Sequence, residues 1–237
     1  MKFARDIREA VRVGLASVRA NAVPMVVLWA MAAGLVVGYY WIPGVAAALE
    51  PLRVWQGEHE LVGAFVGRVF FCGLLPGVFL LTMKVIRPKR PWATIVAQSL
   101  WCGGWGIFYM FLYRWMDEWF GDGPELMTLV KKTAFDMFVW SAFVMIPLNA
   151  VFFFWVGHDL SLKKAKENWP RHFVRDLVLP NYITNWCIWI PVMMAVYAFP
   201  LTLQIHLGGL AGAFWTLVFL YMGARRDGLR GSRSSSS

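Results

Sequence analysis

The chain has 237 residues, of which 59% are hydrophobic and only 16% charged, with a formal net charge of +9. A soluble domain carries about 25% charged residues, so this composition excludes an ordinary soluble globule and suits one membrane domain of several packed spans. The positive balance does not point to nucleic acid. The basic residues lie between apolar runs, where anionic headgroups of a lipid bilayer are the expected partner.

Residues 1–22 are basic, and Phe3, Ile7, Val11 and Leu15 recur at helical spacing with Arg5, Arg8, Arg12 and Arg19 elsewhere on the wheel. That pattern predicts a short amphipathic helix lying on the membrane surface. The apolar stretch 22–49 is far longer than the roughly 7–15 residues of a cleaved signal, so a retained span is expected. Asp6 and Glu9 argue against a mitochondrial presequence, which is poor in acidic residues.

Uncharged windows mark six spans, about 23–43, 65–83, 94–113, 137–157, 182–199 and 203–223. The second is the shortest, with 15 uncharged residues between Arg68 and Lys84, so both of its ends are expected to snorkel to the interface. The last two come from one run, 177–224, of 48 residues without Asp, Glu, Lys or Arg. As a single helix it would reach ~72 Å, against a hydrocarbon core of ~30 Å. Pro200 breaks it into a hairpin.

The connections alternate in charge. Acidic residues mark 44–64 (Glu50, Glu58, Glu60) and 114–136 (Asp117, Glu118, Asp122, Glu125, Asp136), whereas 84–90 holds four basic residues and 158–176 holds Lys163, Lys164, Lys166, Arg171 and Arg175. The tail carries Arg225, Arg226, Arg230 and Arg233 and ends in serines, as a disordered segment would. The positive-inside rule then predicts an all-α polytopic bundle of about six transmembrane helices with both termini on the cytoplasmic or matrix side. A bacterial inner membrane or an organellar inner membrane fits this pattern. Trp41, Trp92, Trp115, Trp119, Trp155, Trp169 and Trp186 fall near span ends, as an interfacial belt would.

Glycines recur four apart at Gly34/Gly38, Gly63/Gly67, Gly73/Gly77 and Gly208/Gly212. Such pairs let helices approach closely, either within the chain or between copies in a homo-oligomer. Pro76, Pro147 and Pro191 lie inside predicted spans, where each frees a carbonyl that lines a polar path or is taken by a neighbour.

No nucleophile elbow, phosphate-binding loop or His-Glu-x-x-His occurs, so no enzyme or cofactor is indicated. Cys72, Cys102 and Cys187 are isolated and odd in number, and the four histidines are scattered, so neither a disulfide framework nor a metal site is expected. The intramembrane polar groups are the candidate path: Asp136, Ser141, Asn149, Asn185 and Gln204. The structural alternative is local. Lys132 lies four residues before Asp136 on one helix face, and the asparagines suit interhelical hydrogen bonds.

The C-terminal half carries Asn168-Trp169, then Asn185-Trp186-Cys187-Ile188-Trp189-Ile190-Pro191, then Phe199-Pro200 and Phe214-Trp215. Upstream are Lys131-Lys132 before Asp136, and Trp105, Tyr109 and Leu112. This pattern resembles the Mpv/PMP family of small multi-pass proteins of peroxisomal and mitochondrial inner membranes. Its motif residues here are Trp169, Asn185, Trp186, Trp189, Pro191, Pro200 and Trp215. The chain departs from the pattern where Ile190 separates Trp189 from Pro191, where Met193 or Met194 takes a Gln position, around Val196-Tyr197, at Met137 and at Gln204. The resulting organisation is a basic segment (1–22), two N-terminal spans (23–95), an Mpv/PMP-like domain of four spans (96–226) and a tail (227–237). The resemblance implies a channel or small-solute permeation role in membrane homeostasis. The alternative is a scaffolding membrane protein that organises partners without transport.

Overall fold

The computed structural model describes residues 11–12, 15–16, 18–19, 21–83, 89–214 and 216. The N-terminal amphipathic segment lies largely outside these residues, as do most of the connection 84–90, motif residue Trp215, the end of the sixth expected span and the tail.

Among the described residues every regular element is helical. They run α1 (Ala22–Trp41), α2 (Pro43–Glu58), α3 (Glu60–Arg68), α4 (Leu75–Met83), α5 (Pro91–Phe120), α6 (Leu126–Phe135), α7 (Ile146–Gly157), α8 (Leu162–Glu167) and α9 (Leu179–Tyr197), followed by α10 (Leu201–Phe214). Four continuous helices are long and apolar enough to cross a membrane: Ala22–Trp41, Glu60–Phe79, Pro91–Phe120 and Leu126–Gly157. In α9, Asn181, Thr184 and Asn185 dilute the apolar character.

Helices start and stop for local reasons. Pro43 opens α2 directly after Ile42, where its missing N–H costs nothing. Gly121, at φ +99°, ends α5 in a conformation that a side chain would strain, and its N–H returns to the Asp117 carbonyl at 2.9 Å. The Pro200 carbonyl accepts from Leu203 N–H at 2.8 Å and so starts α10.

Three π-helical segments interrupt the α-helices: Val69–Leu74, Asp136–Met145 and Val174–Val178. Each is followed by the same step, Leu75-Pro76, Ile146-Pro147 and Leu179-Pro180, with proline second in the next α-helix. Proline there has no N–H to donate, and its ring crowds the carbonyl of the preceding turn. Widening that turn to the π register relieves the crowding without ending the helix.

The chain divides into two compact units. One comprises 1–36 and 116–199, the other 37–115 and 200–237. In the second, α3–α4 runs antiparallel to α5 with little room between them. A methyl added at Gly73 would overlap Ser99, at Gly77 Ile95, at Gly103 Phe65 and Val69, and at Gly106 the Ala64 carbonyl. The pairs Gly63/Gly67 and Gly73/Gly77 thus serve packing within the chain. Among the described residues nothing lies within 4 Å of a methyl added at Gly34.

Of the predicted tryptophan belt, Trp41, Trp92, Trp115, Trp119 and Trp169 are exposed. Trp155 and Trp186 are not. Trp186 stacks on Tyr182 with ring centroids 5.5 Å apart, and its indole serves the interior.

Candidate functional site

In the first unit the polar residues gather at the start of the long π segment. Asp136 is its first residue and is only 1% exposed. Tyr197, the last residue of α9, donates its hydroxyl to Asp136 Oδ2 at 2.7 Å, and Ser141 donates to Oδ1 at 3.2 Å. One turn earlier Lys132, with no exposed surface, pairs through Nζ with Asp117 Oδ1 at 2.5 Å. Asp117 lies near the end of α5, across the 121–125 turn. Phe120 and Trp119 pack on Phe135 and close that end of the cluster.

The π segment exposes carbonyls, and α9 supplies their donors. The Ala142 carbonyl lies five residues before Pro147 and in the π register would take the N–H that proline lacks. It accepts the Tyr182 hydroxyl at 2.7 Å instead. Trp186 Nε1–H donates to the Met137 carbonyl at 3.1 Å. On the far side of α9, Trp29 Nε1–H donates to the Ile188 carbonyl at 3.0 Å, three residues before Pro191. In the second unit the Cys72 carbonyl, four residues before Pro76, accepts from Gln98 Nε2 at 3.3 Å and Cys102 Sγ at 3.5 Å. The carbonyl that Pro147 frees is therefore taken by a side chain and does not line a path.

Of the five predicted polar residues, the fold joins Asp136 to Ser141. Asn149 donates to its own helix at Met145 Sδ (2.9 Å), and Asn185 reaches Met137 Sδ at 3.9 Å. Gln204 belongs to the second unit and is buried there, 1% exposed. Among the motif residues, Trp169 stacks on Phe173 and packs edge-on against Phe154, and Pro191 lies within α9.

The second unit holds a polar centre that the span analysis passes over. The continuous helix Glu60–Phe79 begins at Glu60, not at 65, so Arg68, the last residue of α3, lies inside it. The Arg68 Nε is sealed from solvent and has no hydrogen-bond partner among the described residues. The side chain as a whole is half-buried, and Gly106 of α5 packs against its Cγ. The guanidinium sits 4.8 Å over the Tyr109 ring, with Nη1 3.9 Å from Cys72 Sγ. Close by, buried His206 meets Gln56 Oε1 through Nε2 at 2.7 Å. An amide oxygen only accepts, so that ring nitrogen carries the proton. Gln56 Nε2 in turn donates to the Glu60 carbonyl at 2.8 Å.

Set against known proteins, the chain matches no family model, no curated protein and no solved structure.

Proposed function

We propose that this chain is a six-span integral membrane protein that lets small solutes permeate, as its resemblance to the Mpv/PMP family implies. In this reading α9 and α10 form the fifth and sixth spans, and both termini face the cytoplasm or matrix. The observation that carries it is buried Asp136 inside the membrane-length helix Leu126–Gly157, hydrogen-bonded by Ser141 of the same helix and by Tyr197 of α9. An ionisable group at that depth is costly and is retained where ions or polar solutes are handled. Asp136 and Tyr197 are both 1% exposed, so permeation past them requires the π segment to rearrange. The test is the conductance of the purified full chain in a planar bilayer. Steps of current that Asp136→Asn alters support the reading, and absence of any conductance across pH and voltage defeats it. Conductance indifferent to Asp136→Asn and Asn149→Ala would move the path elsewhere.

A scaffolding role is favoured by one observation. On α1, Gly34 meets no other side chain among the described residues and lies beside exposed Met31 and Val37, as a docking face for a second helix does. Gly34→Leu would then lower the fraction of self-associated protein without affecting conductance.

A further inference from the structure

His206 is a buried titratable side chain that the permeation reading does not use. It lies on α10, 4% exposed, where that helix meets the corner between α2 and α3. The two helices break at His59, and Gln56 bridges the break by donating Nε2 to the Glu60 carbonyl at 2.8 Å. That bond fixes the amide orientation, because a carbonyl only accepts. Oε1 is therefore the atom that faces His206 Nε2 at 2.7 Å, and this ring nitrogen carries the proton. Gln56 is itself only 2% exposed, so water does not compete for the bond. One hydrogen bond thus ties α10 to a corner 150 residues earlier in the chain.

A neutral imidazole with its proton on Nε2 takes up a second proton at Nδ1. That edge of the ring lies against α3. A methyl built on Gly67 would be 2.6 Å from Nδ1 and 2.8 Å from Cε1, so the bare glycine backbone makes room for the ring. The next residue of α3 is Arg68, a permanent cation, whose Nη2 would lie 3.3 Å from a methyl on Gly208, two residues along α10 from His206. On α2 the ring meets Trp55 at 6.2 Å between centroids, and Trp55 in turn stacks with exposed His59 at 5.5 Å. Of the acidic residues at the corner, Glu60 gives its carboxylate to Arg114 at 2.8 Å and Glu58 is exposed. The Cys72 thiol donates to the Gly209 carbonyl and the Tyr113 hydroxyl lies beside Gly208; thiols and phenols carry no charge in acid. Charging the ring therefore adds a second cation near Arg68 and turns a new N–H toward the Gly67 backbone. We propose that His206 is a pH sensor: its neutral form clamps α10 to the α2–α3 corner, and protonation at Nδ1 releases the clamp. The clamp holds in full above the ordinary imidazole value of about 6.5 and weakens as pH falls below it. Such release needs no conductance, so it stands apart from the permeation reading.

The experiment follows amide hydrogen exchange of the full chain in detergent at about pH 7.5 and about pH 5, on either side of the imidazole titration, with intrinsic exchange rates divided out. In the unaltered chain, protection of α10 peptides should fall about tenfold at the lower pH, while α7 peptides of the other unit keep theirs. His206→Gln retains an N–H donor for Gln56 and cannot charge, so its α10 protection should be the same at both pH values. His59→Gln, which removes the neighbouring titratable ring, should keep the full drop. The proposal is overturned if α10 protection does not fall in the unaltered chain, if α7 falls with it, if the drop survives in His206→Gln, or if His59→Gln abolishes it. If His206→Gln does not fold, Gln56→Glu decides. A carboxylate there gives the charged ring an anion and should shrink or reverse the drop, and an undiminished drop also overturns the assignment.

Discussion

Asp136 accepts two hydroxyls, and the two bonds are unequal in length. Tyr197 comes from α9 at 2.7 Å, while Ser141 reaches back from the same π segment at 3.2 Å. Removing the shorter bond takes a donor from a buried carboxylate, so Tyr197→Phe should cost ~1–3 kcal/mol and Ser141→Ala less, measured by reversible unfolding in mixed micelles. Equal effects from the two changes would contradict the geometry. Lys132 offers a sharper case. Its side chain is fully buried while that of Asp117 keeps 17% exposure, so Lys132→Met should cost about 3 kcal/mol by stranding the carboxylate. Adding Asp117→Leu should recover most of that loss, because the unpaired charge goes with it. At this scale the sequence was a partial guide. Asp136 is legible as an ionisable group inside a span. The ion pair of Lys132 is not, because helical spacing reports neighbours four residues away while Asp117 lies fifteen residues back, across the Gly121 turn. The start of the helix around Arg68 is equally illegible: an uncharged window stops at the first arginine, whereas the continuous helix runs back to Glu60.

The π segment Asp136–Met145 joins a proline to donors on a partner helix. Pro147 cannot bond the Ala142 carbonyl, and Tyr182 does so in its place. Restoring an N–H with Pro147→Ala creates a competitor for that carbonyl and removes the reason for the wide turn. The cost of Tyr182→Phe should therefore fall by about 1 kcal/mol in the Pro147→Ala background, a coupling read from a double-mutant cycle. Strict additivity would show that the tyrosine and the proline do not share the carbonyl. The α3–α4/α5 pairing rests on a different device, close backbone approach. Gly106→Leu would drive a side chain into the Ala64 carbonyl and Arg68 and should destabilise by at least ~2 kcal/mol in the same assay. Prolines and glycine pairs are visible in the sequence, and so are the helices they serve. That the carbonyl freed by Pro147 is capped instead of lining a path is not visible, because its cap is Tyr182, far along the chain.

At the scale of the whole molecule, apolarity alone marks four membrane-length helices, and the open matter is the uncharged run after Asp176. Helix α9 has 19 residues and so spans ~28 Å, close to the thickness of the hydrocarbon core despite its asparagines. The described part of α10 covers Leu201–Phe214, and the uncharged sequence continues to Ala224, enough for a second crossing if helical. The charges on either side are basic, with Lys163, Lys164, Lys166, Arg171 and Arg175 before the run and Arg225, Arg226, Arg230 and Arg233 after it. The excess before it is smaller than the basic count suggests, because Asp159 takes Lys164 at 2.7 Å and Asp176 lies 3.6 Å from Arg175. Two crossings return the chain to the side on which it began, which agrees with the positive-inside rule. No crossing would keep position 201 with those basic segments. Single cysteines at positions 58, 88, 167, 201 and 230, in a background without the three native ones, separate the two topologies by labelling in sealed vesicles. With six spans, 58 and 201 react from one side and 88, 167 and 230 from the other. If position 201 reacts with 167 and 230, the run does not cross, the chain has four spans, and α9 and α10 lie on the side of the basic tail.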